Sequence, residues 1–259
     1  MRLVSVVIIT RNEEDILPKT LESLRGLTDD IIVVDSGSTD NTISIAKDHG
    51  ATVLETSWDG FGANKNKGNK LAKHDWILSI DADELVDNTL RTTLINLDLS
   101  DPAKLYILKF KTFIAGQPLH HGQTAGETHP RLFNRQCLSW NLSEVHEELT
   151  GAGNIKSEVL KGNILHYSYT DLQDYIQKSN SYTTLRAMQM FQAGKKVTFF
   201  KLYLNPLYTF LLNYILKSGF LDGFWGYTYA RLSSTYTYLK YAKLKELYAI
   251  HKVEEKPGT

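Results

Sequence analysis

Leu3-Val4-Ser5-Val6-Val7-Ile8-Ile9-Thr10 is an apolar run broken by a single serine, and it stops abruptly at Arg11-Asn12-Glu13-Glu14. It is apolar at odd and even positions alike, so neither face suits water. A strand covered on both faces, as in a parallel sheet, has this pattern, whereas a half-buried strand alternates. The same reading repeats downstream. Residues 31–34 form a second apolar run, closing on Asp35; residues 51–55 read as a third strand; residues 76–80 form a fourth, closing on Asp81-Ala82-Asp83-Glu84. Between the runs, Leu17, Leu21 and Leu24 share one side of a helix that tolerates Pro18 in its first turn. Ile43 and Ala46 mark a second helix, opened by the turn Ser36-Gly37-Ser38-Thr39-Asp40 and closed by Gly50. Residues 59–69, rich in Gly, Asn and Lys, read as a loop leading into a short helix. This alternation of strand and helix predicts an α/β domain built on an open, mostly parallel sheet.

Composition narrows the function. Hydrophobic residues make up 42% of the 259, enough for an ordinary core. The 29 basic and 29 acidic side chains cancel, so no nucleic acid partner is expected. A single cysteine, Cys137, leaves no intrachain disulfide or cysteine-rich zinc site and fits a reducing, cytoplasmic compartment. The N-terminal run is short and β-branched and lacks a small-residue cleavage site, so it reads as a strand and not as a signal sequence. Neither a Gly-x-Gly-x-x-Gly nor a Walker-type loop is present.

In open α/β sheets ligands bind beyond the carboxyl ends of the strands. Polar residues collect there: Thr10, Asn12 and Glu13 after the first strand, Asp35 and Ser36 after the second, Asp81 and Asp83 after the fourth. Two carboxylates at a strand end suit a hard divalent cation, Mg²⁺ or Mn²⁺, able to bridge diphosphate oxygens. Asp35 is placed to accept from a base imino N–H or a ribose hydroxyl; a turn or N-cap role is equally compatible. Lys65, with Lys67 and Lys70 nearby, offers a point charge to a diphosphate. Further on, Arg131 precedes Val145-His146-Glu147-Glu148, a polar stretch that could supply a general base from Glu147 or Glu148. His166 is a candidate third metal or phosphate ligand, with a structural role as the alternative.

Taken together, residues 4–13, Val34-Asp35-Ser36-Gly37-Ser38-Thr39-Asp40 and Asp81-Ala82-Asp83-Glu84, in this order, resemble glycosyltransferase family 2, with the GT-A fold. Arg131-Leu132-Phe133, Val145-His146-Glu147 and His166-Tyr167-Ser168 are similar to its branch of lipopolysaccharide-core β-glucosyltransferases. The resemblance implies an inverting transfer of a hexose, glucose in that branch, from a nucleotide diphosphate donor, a UDP-sugar, to a glycan or glycolipid acceptor. It implies that Asp35 holds the base, Asp83 the metal, Asp81 the ribose or metal, and Glu147 the acceptor proton, with Glu148 as fallback. Many members carry Glu-Asp or a lone Asp as base where this chain has His-Glu-Glu, and the Gln-x-x-Arg-Trp motif of processive members is absent. Two other readings stand beside this one: a sugar nucleotidyltransferase, against which residues 10–16 lack a Gly-rich basic loop, and a non-catalytic scaffold that binds sugar nucleotides.

The resemblance and the strand–helix pattern place a catalytic domain at 1–170 and a helical extension at 171–259. Residues 199–216 are apolar but interrupted by Lys201, Asn205, Pro206 and Asn213, too short a run for a span. Tyr203, Tyr208, Tyr214, Phe224, Trp225, Tyr227 and Tyr229 are interleaved with Lys217, Arg231, Lys240, Lys243 and Lys245. Aromatics among lysines suit a helix lying in a headgroup layer, peripheral on the inner face of the cytoplasmic membrane. Packing on the catalytic domain, or on another protomer in a homo-oligomer, is the alternative.

Overall fold

The computed structural model describes residues 4–142, 147–151 and 153–254, the last three by backbone alone. The chain divides into two compact units: Met1–Lys111 with Gly126–His166, and Thr112–Ala125 with Tyr167–Thr259. Residues 112–125, read from sequence as part of the catalytic domain, therefore group with the C-terminal helices.

In chain order the elements are β1 (Val4–Thr10), α1 (Leu17–Ser23), β2 (Ile31–Asp35), α2 (Thr42–Asp48), β3 (Thr52–Glu55), α3 (Phe61–Leu71), β4 (Trp76–Asp81), β5 (Glu84–Val86), α4 (Asn88–Ile95), β6 (Lys104–Ile114), β7 (Gln117–Pro118), β8 (Thr128–Asn134), β9 (Leu138–Trp140), β10 (Leu149–Gly151) and β11 (Lys156–Tyr169). Helices α5 (Leu172–Gln192), α6 (Asn205–Leu211) and α7 (Gly223–Glu254) follow.

The main sheet runs β3-β2-β1-β4-β8-β6-β11-β5. The first four of these strands are parallel, and β8 joins antiparallel to β4. Along β1, Val6 and Ile8 pack into one core with Leu17, Leu21, Leu24, Leu78 and Ile80, while Val7 and Ile9 pack into the other with Ile77, Ala72, Phe133 and Trp140. Both faces of β1 are covered, which is why its sequence is apolar on both faces from Val6 to Ile9. Register then levels the strand ends. Thr10 lies opposite Asp35, and Ile9 opposite Asp81, so the polar residues that end β1, β2 and β4 come out on one edge.

The stretch read as a Gly/Asn/Lys loop is instead mostly helix, α3. Its glycines are contact points. A Cβ on Gly68 would lie 2.4 Å from Val7 Cγ1 and 2.9 Å from Val34 Cγ2, and one on Gly62 would lie 2.0 Å from the Asn141 carbonyl oxygen. Glycine costs about 1 kcal/mol in a helix interior; here it admits an approach to the sheet that no side chain would allow.

Within the second unit, α7 packs along α5 and α6. Asp222 anchors the 112–125 segment, taking the backbone N–H groups of His120 and His121 at 3.0 and 2.8 Å and pairing with His121 Nδ1 at 2.9 Å. Among the described residues, no helix is long and apolar enough to cross a membrane.

Candidate active site

At the carboxyl end of β4, charged side chains are stacked at short range, all within the first unit. Lys65 projects from α3 and is fully buried; its Nζ donates to Glu147 Oε1 at 2.8 Å and stands 3.4 Å from Asp81 Oδ1. The same ammonium lies 4.9 Å from the centroid of the Trp140 ring. Arg131, on β8, donates from Nη2 to Glu84 Oε1 at 2.5 Å and lies 3.5 Å from Asp81 Oδ2. Glu84 also accepts the Asp81 backbone N–H at 3.0 Å. Asp83 pairs with His166 Nε2 at 3.4 Å. Two cations and three carboxylates thus alternate from Glu147 to Glu84, with the Asp83–His166 pair beside them.

Local structure explains how residues distant in sequence meet. Asn66 on α3 donates to the Trp140 carbonyl at 2.7 Å and accepts the Trp140 N–H at 3.1 Å, locking α3 to β9. Strand β10 pairs back on β9, and Glu148 is tied to Asn141 through both main chain and side chain. That hairpin brings Glu147 to Lys65. On the far side, β11 pairs with β5 so that His166 is opposite Glu84.

The network sets protonation. Burial opposes charge on Asp81, but Lys65 and Arg131, with His166, outweigh it and hold the carboxyl at about 2. Glu84 moves the other way: burial, with the charges of Asp81 and Asp83, raises it against the pull of Arg131. Burial would lower His166, yet the bond to Asp83 and the nearby Glu84 and Asp81 push it up to about 9.

The other predicted residues gather at the ends of β1 and β2. The Asp35 carboxylate is buried and turned into its own loop, accepting the N–H groups of Gly37 and Ser38 at 2.9 and 2.8 Å and the Ser38 hydroxyl. Asn12, at a positive φ of 55°, bonds Thr39 and Ser38 and staples the β1 loop to the β2 loop. The Glu13 N–H donates to Thr42 Oγ1 at 2.8 Å, and Ser36 Oγ accepts from Asn64 at 2.9 Å. Glu148 is exposed, unlike Glu147, and Val145 and His146 lie outside the described residues.

Several buried polar atoms here have no hydrogen-bond partner: Thr10 Oγ1, Arg131 Nε and Trp140 Nε1. Such atoms are rare in a finished interior, and a bound polar group is one way to satisfy them. A divalent cation fits this edge in part. Asp83 and Asp81 are hard donors, but among the described residues no three His, Cys, Asp or Glu side chains cluster in metal-binding geometry. Mg²⁺ is commonly held by one or two carboxylates, with phosphate oxygens and water completing its shell. His166, protonated beside Asp83, has no lone pair to offer and would join that shell only as the neutral ring.

Sequence reasoning gave Glu84 and Trp140 no role, although Glu84 is the next carboxylate after Asp81-x-Asp83. Its burial depends on Arg131, and no local pattern announces that partnership.

Comparison with known proteins gives the family. The pattern described as glycosyl transferase family 2 matches residues 5–159. The chain is 30% identical over 257 residues to the uncharacterized glycosyltransferase RT0209 of Rickettsia typhi, covering 95% of this chain and 88% of that protein. It is 30% identical over 253 residues to the lipopolysaccharide core biosynthesis glycosyltransferase LpsC of Rhizobium meliloti, covering 95% and 93%. Among solved structures, glucosyl-3-phosphoglycerate synthase from Mycobacterium tuberculosis, crystallised with Mn²⁺, UDP and glucosyl-3-phosphoglycerate, matches 44% of each chain at 29% identity and a TM-score of 0.33. With a covered α/β sheet, carboxylates at its strand ends and a family match over most of its length, this chain belongs to glycosyl transferase family 2 and has its GT-A fold.

Proposed function

We propose that this enzyme transfers a hexose, glucose in the first instance, from a UDP-sugar to a lipid-linked or lipopolysaccharide-core sugar, with inversion at the anomeric carbon. The observation that carries the reading is the buried Lys65 ammonium, which joins Glu147 to Asp81. It sets the only strongly held carboxylate of the Val-His-Glu-Glu stretch beside the strand-end pair Asp81 and Asp83. Glu147 takes the proton of the acceptor hydroxyl. That oxygen bonds to the anomeric carbon as the bond to the β-phosphate oxygen breaks, and the electron pair leaves with UDP. Lys65 and Arg131 supply positive charge at the edge where the diphosphate binds. Thr10, Asn12, Glu13, Asp35 and Ser36 shape the nucleoside end; Asp35 keeps acceptor capacity because a carboxylate offers about four lone-pair sites. Asp83, with Asp81, would hold Mg²⁺ or Mn²⁺, which supplies Lewis-acid neutralisation of the leaving group. The acceptor class is supported by LpsC, a relative named for lipopolysaccharide core biosynthesis, and by the branch resemblance.

The test is slow hydrolysis of UDP-glucose, with water in place of the acceptor, in the presence of Mn²⁺. Glu147→Gln should cut it about 10²–10⁴-fold, the usual weight of a general base. A Glu147→Gln protein that melts and hydrolyses like the parent removes Glu147 from the chemistry.

A further inference from the structure

The helical run over 199–216, made of α6 and a wide turn at each of its ends, is amphipathic in the reverse of the usual sense. Its inward face carries polar groups beside the buried Leu202 and Pro206. Asn213 donates to Gln123 Oε1 at 3.1 Å and accepts the Gln123 N–H at 2.9 Å; Thr209 meets Thr237 at 3.3 Å; Ser234 donates to the Pro206 carbonyl at 2.8 Å. Its outward face is apolar: Phe200, Leu204, Leu207, Leu211, Ile215 and Leu216 are 38–68% exposed, with Tyr203 and Tyr208 beside them. In water a surface helix turns these faces the other way. Large contiguous apolar patches on a soluble surface mark an interaction site. Phe220, Leu221 and Phe224, also exposed, extend the patch past the end of the run.

Charge identifies the occupant. Residues 193–221 contain no Asp or Glu. Lys195 and Lys196 lie just before the apolar stripe and Lys217 just after it, all exposed. The next acid, Asp222, is committed to His121 and is almost buried. Protein–protein interface cores are depleted in lysine; lysines ringing an aromatic and aliphatic face instead match a layer of lipid phosphates over acyl chains. The run is ~27 Å long at 1.5 Å per residue and apolar on one side, so it suits lying in the interface and not crossing it. We propose that this face docks the enzyme on an anionic lipid bilayer, with the stripe from Phe200 to Leu216 sunk among the acyl chains and the flanking lysines on the headgroups. The inference deepens the reading of a membrane-borne acceptor, but it rests on this surface alone and needs neither donor nor acceptor to be observed.

The experiment is co-sedimentation of the full chain with vesicles of phosphatidylcholine alone, or of phosphatidylcholine with phosphatidylglycerol, at low and high salt. The parent protein should bind the mixed vesicles strongly and the neutral ones weakly, and salt should reduce binding. Leu207→Ser with Leu211→Ser should weaken binding at least about tenfold, since each leucine is worth more than 1 kcal/mol when sunk in an apolar phase. Lys195→Gln with Lys196→Gln should weaken it about tenfold or more on anionic vesicles only, at ~1 kcal/mol per lysine. All four side chains are exposed or at the surface, so each variant should melt like the parent. No binding to either vesicle overturns the proposal. So does binding unchanged in the leucine variant, or a parent dimer that this variant converts to monomer, which would make a second copy the occupant. Nucleotide binding in the first unit is measured separately, so a failure on vesicles leaves the transferase reading standing.

Discussion

Replacing Arg131 with methionine keeps much of the side chain's bulk and removes its charge. Glu84, with a side chain only 1% exposed, would keep one donor, the Asp81 N–H, and lose its counterion at 2.5 Å. Removing one partner of a buried ion pair costs about 3–5 kcal/mol, because the remaining charge is stranded. Loss of the guanidinium over the Phe110 ring, 5.3 Å away, adds to this. For a unit of this size the melting midpoint should fall by about 6–20 °C, at roughly 2–4 °C per kcal/mol. Adding Glu84→Gln removes the stranded charge while keeping an acceptor for the Asp81 N–H. The double variant should therefore recover at least about 2 kcal/mol relative to Arg131→Met, a coupling that only interacting residues show. Urea titration followed by tryptophan fluorescence reads this directly, since Trp76 and Trp140 are both buried in the first unit. An Arg131→Met cost under ~1 kcal/mol, or a double variant no better than the single, would refute the view that this pair holds the site together.

Other outcomes follow from the same geometry. Glu148→Gln should leave UDP-glucose hydrolysis within a few-fold of the parent, because its side chain is exposed, in contrast to the loss expected for Glu147→Gln in the same rate assay. Gly162→Ala should destabilise by about 2 kcal/mol or more in urea, since φ is +95° and the new Cβ would lie 2.1 Å from the Leu90 nitrogen. Gly68→Ala should cost about 1–3 kcal/mol by driving α3 off Val7 and Val34, again read from the urea midpoint. Removing divalent ions with a chelator should abolish hydrolysis, and Mn²⁺ should restore it.

The parallel core was legible because strands buried on both faces are apolar at odd and even positions alike, and β1, β2 and β4 are so apart from Ser5, Ser79 and their polar ends. Their shared edge followed from the polar residues that end them, so the strand-end positions of Thr10, Asp35 and Asp81 could be read without coordinates. Helix α3 was not legible: Gly62, Gly68 and its asparagines have loop propensities, and only contact with Asn141, Val7 and Val34 explains them. Nor was the pairing of Glu84 with Arg131, separated by 47 residues, or that of His121 with Asp222, separated by 101. Such pairs leave no periodic trace. In residues 199–216 the aromatics and lysines were visible, but which face turns outward depends on how Asn213 and Thr209 are satisfied.

Donor binding is the claim on which the rest stands, and a thermal-shift panel of UDP, GDP, dTDP and CMP, each with and without Mn²⁺, tests it most directly. At a hundred times its dissociation constant a ligand adds about 2.7 kcal/mol, which should raise the midpoint by about 5–10 °C. The expected result is stabilisation by UDP that requires Mn²⁺ and disappears in Asp83→Ala. Stabilisation by no nucleotide, or by UDP equally in Asp83→Ala and without metal, would contradict it.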